Sequence, residues 1–171
     1  MPRVVLFEPQ IPPNTGNVAR TCAATGMDLH LIEPLGFSLS DRHLRRAGLD
    51  YWPLVSLTCH RDAPSFLEVC KREGGRLLAL SSHATHPYTA IQYHSTDWLL
   101  FGRETDGLPP ALLEAADERL TIPMPQSAAR RCGGVRSLNL SVAVGVVVFE
   151  ALRQLDDLSP SGGADLEGPV S

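Results

Sequence analysis

A chain of 171 residues is enough for one compact domain and short for two. Its 43% apolar and 20% charged content excludes collagen-like, coiled-coil and wholly disordered classes. The formal net charge of −4 speaks against a uniformly basic nucleic-acid surface, but Asp156, Asp157, Asp165 and Glu167 fall in residues 156–171, where no Lys or Arg occurs; the remainder carries 15 basic and 15 acidic residues and leaves room for a local basic patch.

Val4 to Phe7 is a short apolar run closed by Glu8-Pro9 and predicts a buried strand. Pro12 to Asn17 reads as a turn, after which Val18, Ala19, Cys22 and Ala23 recur at helical spacing until Gly26. Leu29 to Ile32 predicts a second strand. Asp41 to Gly48 fits a short helix capped by Ser40 or Asp41, and Leu54 to Thr58 a strand. Asp62 caps a predicted helix that runs to about Glu73, with Phe66, Leu67, Val69 and Cys70 inward and Gly74-Gly75 at its end. Leu77 to Leu80 and Trp98 to Phe101 are predicted strands separated by a polar segment containing Pro87. A short helix over Pro109 to Ala116 and a strand over Leu120 to Ile122 follow. Leu138 to Leu155 is apolar nearly all round through Val148 and predicts a buried helix.

Strands alternating with helices predict an α/β fold: a mostly parallel sheet with helices on both faces. Residues 1–155 form the expected domain, and 156–171, rich in Ser, Gly, Pro and acid, an expected disordered tail. The longest apolar stretch, Val142 to Phe149, has eight residues against the roughly 20 of a membrane helix, so neither membrane insertion nor export is expected. Cys22, Cys59, Cys70 and Cys132 make no C-x-x-C pair and read as reduced thiols of a cytoplasmic protein.

Several chemistries are excluded by missing residues. There is no G-x-S-x-G elbow, no G-x-x-x-x-G-K-[ST] loop, no H-E-x-x-H and no G-x-G-x-x-G after the first strand. His83 and His86 are the only close histidine pair, in a predicted loop without a nearby Cys, and no metal is expected. Three segments remain, each at the carboxyl end of a predicted strand, where open α/β sheets bind ligands. In Asn14 to Arg20, N–H groups at a helix start can receive an anion, with Arg20 one turn inside the helix. In Leu99 to Pro109, Gly102 allows close backbone approach to a ligand and Glu104 follows it. In Ile122-Pro-Met with Ser137-Leu-Asn139-Leu-Ser141, either Ser137 or Asn139 can cap the apolar helix, but both cannot be the same cap. Basic residues cluster at Arg42, Arg45 and Arg46 and again at Arg130, Arg131 and Arg136.

These three segments, in this order, resemble the motifs of the SPOUT-class RNA 2′-O-methyltransferases. Glu8 to Asn17 together with Leu44-Arg-Arg-Ala-Gly-Leu-Asp50 is similar to the small bacterial tRNA (cytidine/uridine-34-2′-O)-methyltransferases, across roughly residues 3–155. The resemblance implies a C-terminal trefoil knot, which strand and helix periodicity cannot reveal. It also implies a homodimer, S-adenosylmethionine (AdoMet) bound in the knot, and an active site spanning the dimer interface. Carried over by motif, Leu80, Gly102, Ile122 and Ser137 would contact the cofactor, while Asn14, Arg20, Glu104, Asn139 and Ser141 fall on positions tied to catalysis or site integrity. Because a guanidinium keeps its proton at neutral pH, Arg20 is read as orienting a phosphate and stabilising a developing alkoxide rather than as a base. The implied partner is a tRNA anticodon loop, whose unpaired bases splay out, with Arg42, Arg45 and Arg46 as candidate phosphate contacts. A non-catalytic dimeric RNA-binding protein on the same scaffold, or an enzyme acting on another RNA, are the competing readings.

Overall fold

The computed structural model describes residues 1–39, 54–125 and 137–155. Among these residues seven strands form one sheet: β1 (Arg3–Phe7), β2 (Leu29–Ile32), β3 (Leu57–His60), β4 (Leu77–Leu80), β5 (His86–Pro87), β6 (Trp98–Phe101) and β7 (Glu118–Thr121). Their spatial order is β3-β2-β1-β6-β4-β7-β5, and every pairing is parallel. Among the described residues four helices accompany them: α1 (Pro12–Thr25), α2 (Ala63–Glu73), α3 (Pro110–Ala115) and α4 (Leu140–Gln154). The α/β reading therefore holds, and the central strands are unbroken apolar runs because both of their faces are covered.

Alternation along each strand divides the core. Val4, Leu6, Leu29, Leu31, Leu78, Leu99 and Phe101 pack against Val18, Ala19 and Cys22 of α1 and Val144, Val147, Val148 and Ala151 of α4. Val5, Phe7, Ala79, Trp98 and Leu100 face Phe66 and Cys70 of α2 and Leu112 of α3. Parallel register ends β1, β6 and β4 at one edge, with Leu6 beside Phe101 and Leu80 beside Phe101. The loops after these strands consequently gather at that edge.

Several boundaries differ from the sequence reading. The stretch predicted as a turn, Pro12 to Asn17, is the first part of α1. Prolines at the first two helical positions cost nothing, since those N–H groups have no intrahelical partner anyway. Two strands are shifted, β3 to Leu57–His60 and β7 to Glu118–Thr121, because pairing with β2 and β4 rather than local apolarity sets their ends. Strand β5 falls in the segment expected as loop; it is two residues long and ends in a proline, which an edge position tolerates. Helix α4 is buried on one face only: Val142 and Phe149 are 50% and 51% exposed. The helix expected over Asp41 to Gly48 and the tail 156–171 lie outside the described residues.

The α2 face also holds a buried pair that periodicity did not single out. His30 Nδ1 lies 2.9 Å from His60 Nε2, and the rings stack against the edges of Trp98 and Phe66. One ring donates and the other accepts, so a second proton would break the bond. Burial, reinforced by His60, pushes the His30 imidazole down to about 4, and burial lowers His60 as well. With both folded values below the ordinary imidazole value, the unfolded chain takes up protons first. The pair's stability is then complete above about pH 6.5 and is lost as pH falls through that value towards 4. Denaturant titrations should show about 3 kcal/mol less stability at pH 4 than at pH 7 from His30 alone. A His30→Leu, His60→Leu double variant should flatten that slope, and an unchanged slope would contradict the assignment.

Candidate active site

Helix α1 begins without a local cap. Its N-cap is Ile11, whose side chain accepts nothing, and Pro12 and Pro13 have no N–H to offer. The donors left over, Gln10 N and Ile11 N, are instead taken by the carboxylate of Glu104, at 2.9 Å to Oε2 and 3.2 Å to Oε1. The anion expected at this helix start is thus supplied by the chain itself. Glu104 Oε1 also accepts from Asn14 Nδ2 at 3.1 Å.

From Asn14 the hydrogen bonds run one way. A carboxylate acceptor forces Asn14 to present its amide nitrogen to Glu104, leaving Oδ1 to accept from Asn139 Nδ2 at 2.9 Å. Asn139 in turn presents Oδ1 to the backbone N–H and the hydroxyl of Ser141, at 2.9 and 2.8 Å. Asn139 is therefore the N-cap of α4, which settles the choice between Asn139 and Ser137. Glu104, Asn14, Asn139 and Ser141 form one relay that ties the starts of α1 and α4 to the loop after β6.

That loop is folded tightly on itself. Arg103 and Gly107 exchange backbone hydrogen bonds of 3.0 Å, with Gly107 at φ 75°. The loop then returns across Gly102: a Cβ built there would lie 2.2 Å from the Gly107 carbonyl carbon and 2.5 Å from Leu108 N. The close approach expected at Gly102 is made by the protein's own backbone.

Above the loop opens a cavity of about 600 Å³, within the range of small-molecule sites. Leu80, Gly102, Ile122 and Ser137 all line it, as do Asn14, Glu104 and Asn139. Ser141 reaches it only through Asn139. Arg20 is not among the lining residues. It is exposed on α1, six residues beyond Asn14, which on an α-helix is about 9 Å along the axis and about 120° around it. With the helix beginning at Pro12, Arg20 is more than two turns inside it, not one. Arg42, Arg45 and Arg46 lie outside the described residues. Ser81, Thr105, Asp106 and Leu138, not assigned a role from sequence, also line the cavity; Thr105, Asp106 and Leu138 lie within the motifs, and Ser81 carries no signal beyond following Leu80. Thr105 and Arg103 hold the Asp106 carboxyl below the usual carboxylate range. His83 lines the cavity, and His86 Nδ1 lies 3.4 Å from Glu118 Oε2.

Comparison with known proteins decides the family. The sequence profile of the SpoU rRNA Methylase family matches residues 1–149. The chain belongs to this family. A tRNA (cytidine(34)-2′-O)-methyltransferase of Escherichia coli (strain K12) is 49% identical over 158 residues, which cover 91% of this chain and 94% of the relative. A solved structure described as giving structural insights into the 2-OH methylation of C/U34 on tRNA superposes with a TM-score of 0.83 at 50% identity, over 92% of this chain and 97% of that one. The structure of an AdoMet-bound rRNA methyltransferase from Sinorhizobium meliloti gives a TM-score of 0.80 at 27% identity, over 90% of this chain and 56% of that one. The trefoil knot expected from the motifs comes with membership of the SpoU family.

The residues around the cavity suit AdoMet. Leu80, Ile122, Leu138 and Leu140 offer apolar surface for a purine, while Glu104, Asp106 and the Arg103 guanidinium paired with Asp106 place charged groups on one wall. Among the described residues no helix is long and apolar enough to cross a membrane, and no group of three or more His, Cys, Asp or Glu could hold a metal ion.

Proposed function

We propose that this chain transfers a methyl group from AdoMet to the ribose 2′-OH of wobble nucleotide 34, cytidine or uridine, in a tRNA anticodon loop. The observation that carries this reading is the convergence of the three motifs on one cavity. Leu80, Gly102, Ile122 and Ser137 line it, and the relay from Glu104 through Asn14 to Asn139 braces its rim. The near full-length identity to a tRNA (cytidine(34)-2′-O)-methyltransferase supports the choice of substrate.

When bound, AdoMet would supply a methyl carbon on a sulfonium, to which the ribose 2′-oxygen would bond as the C–S bond breaks, releasing S-adenosylhomocysteine, with the 2′-OH proton passing to solvent. The protein's part is alignment. Leu80, Gly102, Ile122 and Ser137 hold the donor, and the relay keeps the starts of α1 and α4 from drifting apart; well-oriented reactants reach effective molarities of about 10⁵ M or more. Arg20 orients a phosphate and stabilises the alkoxide as it develops. Since Arg20 of the same chain does not line the cavity, the reading includes a homodimer in which a second copy brings its Arg20 to the site. The exposed apolar stripe of Val142 and Phe149, seven residues apart on α4, supports such an interface. Arg42, Arg45 and Arg46 contact tRNA phosphates in this reading, and the enzyme works in the cytoplasm, consistent with free thiols at Cys22, Cys59 and Cys70.

The test is to incubate the protein with AdoMet and unmodified tRNA and to locate new 2′-O-methyl nucleotides by mass spectrometry of nuclease fragments. Methyl at position 34 is expected. Methyl at another position, or in another RNA only, would overturn the substrate. Absence of AdoMet binding by calorimetry would favour a non-catalytic RNA-binding protein.

A further inference from the structure

The loop under the cavity is fastened to the turn between β1 and α1 twice, by neighbouring residues of opposite charge. Glu104 sends its carboxylate to the backbone N–H groups of Gln10 and Ile11. Arg103 sends its guanidinium to the carboxylate of Glu8, with Nη1 2.8 Å from Oε2. The same guanidinium holds Asp106 within its own loop: Nη2 donates to Oδ2 at 2.9 Å, and Nε lies 2.8 Å from Oδ1 as an ion contact off the N–H line. It also lies over the Phe7 ring, 5.3 Å from the centroid. Both partners are largely sheltered, with side chains 29% and 19% exposed.

Glu8 occupies a position that its backbone disfavours. It has φ 42°, the only positive φ of a non-glycine residue among those described. Its N–H donates to Ile32 O at 2.9 Å, and its carbonyl accepts from Gln10 Nε2 at 2.6 Å. Glycine would serve that turn without strain. Glutamate adds only its carboxylate, and that carboxylate is committed to Arg103. Strain held in place by surrounding contacts beside a binding cavity is the pattern of a positioning device.

We propose that Arg103 and Glu8 are positioning residues for the methyl donor: their ion pair sets how far the 102–107 loop stands from the start of α1, and so the shape of the cavity that takes AdoMet. The proposal rests on the AdoMet-site reading above. Arg103 lines the cavity beside Gly102, Glu104 and Asp106, and Glu8, which does not line it, acts through Arg103.

The variants Arg103→Met, Glu8→Gln, their double and Glu8→Gly separate positioning from folding. AdoMet dissociation constants by calorimetry and melting temperatures are read on the ligand-free protein, with KM and kcat for methyl transfer alongside. Each single variant should weaken AdoMet about tenfold or more, and the double no more than Arg103→Met, which removes the pair together with the Asp106 contact. KM for AdoMet should rise more than kcat falls. Glu8→Gly, which relieves the backbone but deletes the carboxylate, should bind AdoMet as weakly as Glu8→Gln. If Arg103→Met does not fold, Arg103→Lys, which keeps the charge without the fork, should show intermediate weakening. AdoMet affinities within twofold of wild type, or single effects that multiply in the double, would overturn the positioning role. Failure of the wild-type protein to bind AdoMet would instead overturn the reading on which the role rests.

Discussion

Replacing Gly102 by alanine should abolish useful AdoMet binding, raising the dissociation constant at least 100-fold, while the sheet still folds. The three atoms nearest to the added Cβ are all backbone: the carbonyl carbon and oxygen of Gly107, at 2.2 and 2.6 Å, and Leu108 N at 2.5 Å. Backbone cannot rotate away as a side-chain tip can, so the 102–107 loop must lift. Lifting it breaks the Arg103–Gly107 hydrogen bonds and moves the cavity wall that Glu104 and Asp106 form. Overpacking of this kind costs about 1–3 kcal/mol, and a 100-fold loss of affinity corresponds to about 2.7 kcal/mol, so the strain and the lost binding are of one size. Calorimetry with AdoMet, with circular dichroism as the control for folding, checks the expectation. Affinity within threefold of wild type would show that the loop accommodates the methyl group.

Glu104→Gln should be almost as damaging as Glu104→Ala, despite keeping the shape of the side chain. Every contact of the carboxylate is to a donor: Gln10 N on Oε2, and Ile11 N and Asn14 Nδ2 on Oε1. Whichever way a glutamine amide is turned, its NH₂ meets at least one N–H, and a donor is left facing a donor. The loss then spreads along the relay, because Asn14 no longer has a reason to keep Oδ1 towards Asn139. The contacts are part-buried or exposed, so the loss is that of a hydrogen bond to a charged group, about 1.5–3 kcal/mol, and the melting temperature should fall by roughly 5–10 °C in a chain of this size. Methyl transfer should fall at least tenfold. Thermal melts and AdoMet-dependent activity measured on both variants provide the check. A glutamine variant that melts with the wild type would show that the carboxylate's charge and acceptor count do not matter.

The relay also explains which parts of the site were readable in advance. Asn14, Glu104 and Asn139 each stood at the carboxyl end of a predicted strand, where ligands of α/β sheets collect, and the resemblance ordered them into motifs. That Glu104 caps α1 was not readable, since the capping acid is 93 residues from Ile11 and helix-cap rules look only three residues ahead. For the same reason Pro12 to Asn17 looked like a turn. Two adjacent prolines begin a helix well when their neighbours' N–H groups have a partner, and the partner here is distant in the chain. The apolar period of Leu138 to Leu155 correctly indicated a helix. Its nearly uniform apolarity suggested full burial, whereas one face, with Val142 and Phe149, is open in the single chain. Uniform apolarity does not say whether the same chain or another covers a face.

The placement of residues within single elements, and hence the α/β class, was written in local patterns: unbroken apolar strands, helical spacing in α2 and α4, Asp62 accepting from Ser65 N at 2.8 Å as its position implied. Those patterns suffice because the forces behind them act over a few residues. The pairings that make the site, Glu104 with Asn14, Asn14 with Asn139 and Arg103 with Glu8, join segments 90, 125 and 95 residues apart, and the buried core pair His30 with His60 joins segments 30 apart. They exist only once parallel register has brought the strand ends to one edge. Polar side chains seldom announce their partners in sequence, because a hydrogen bond is decided by a few tenths of an ångström that the whole packed sheet has to supply.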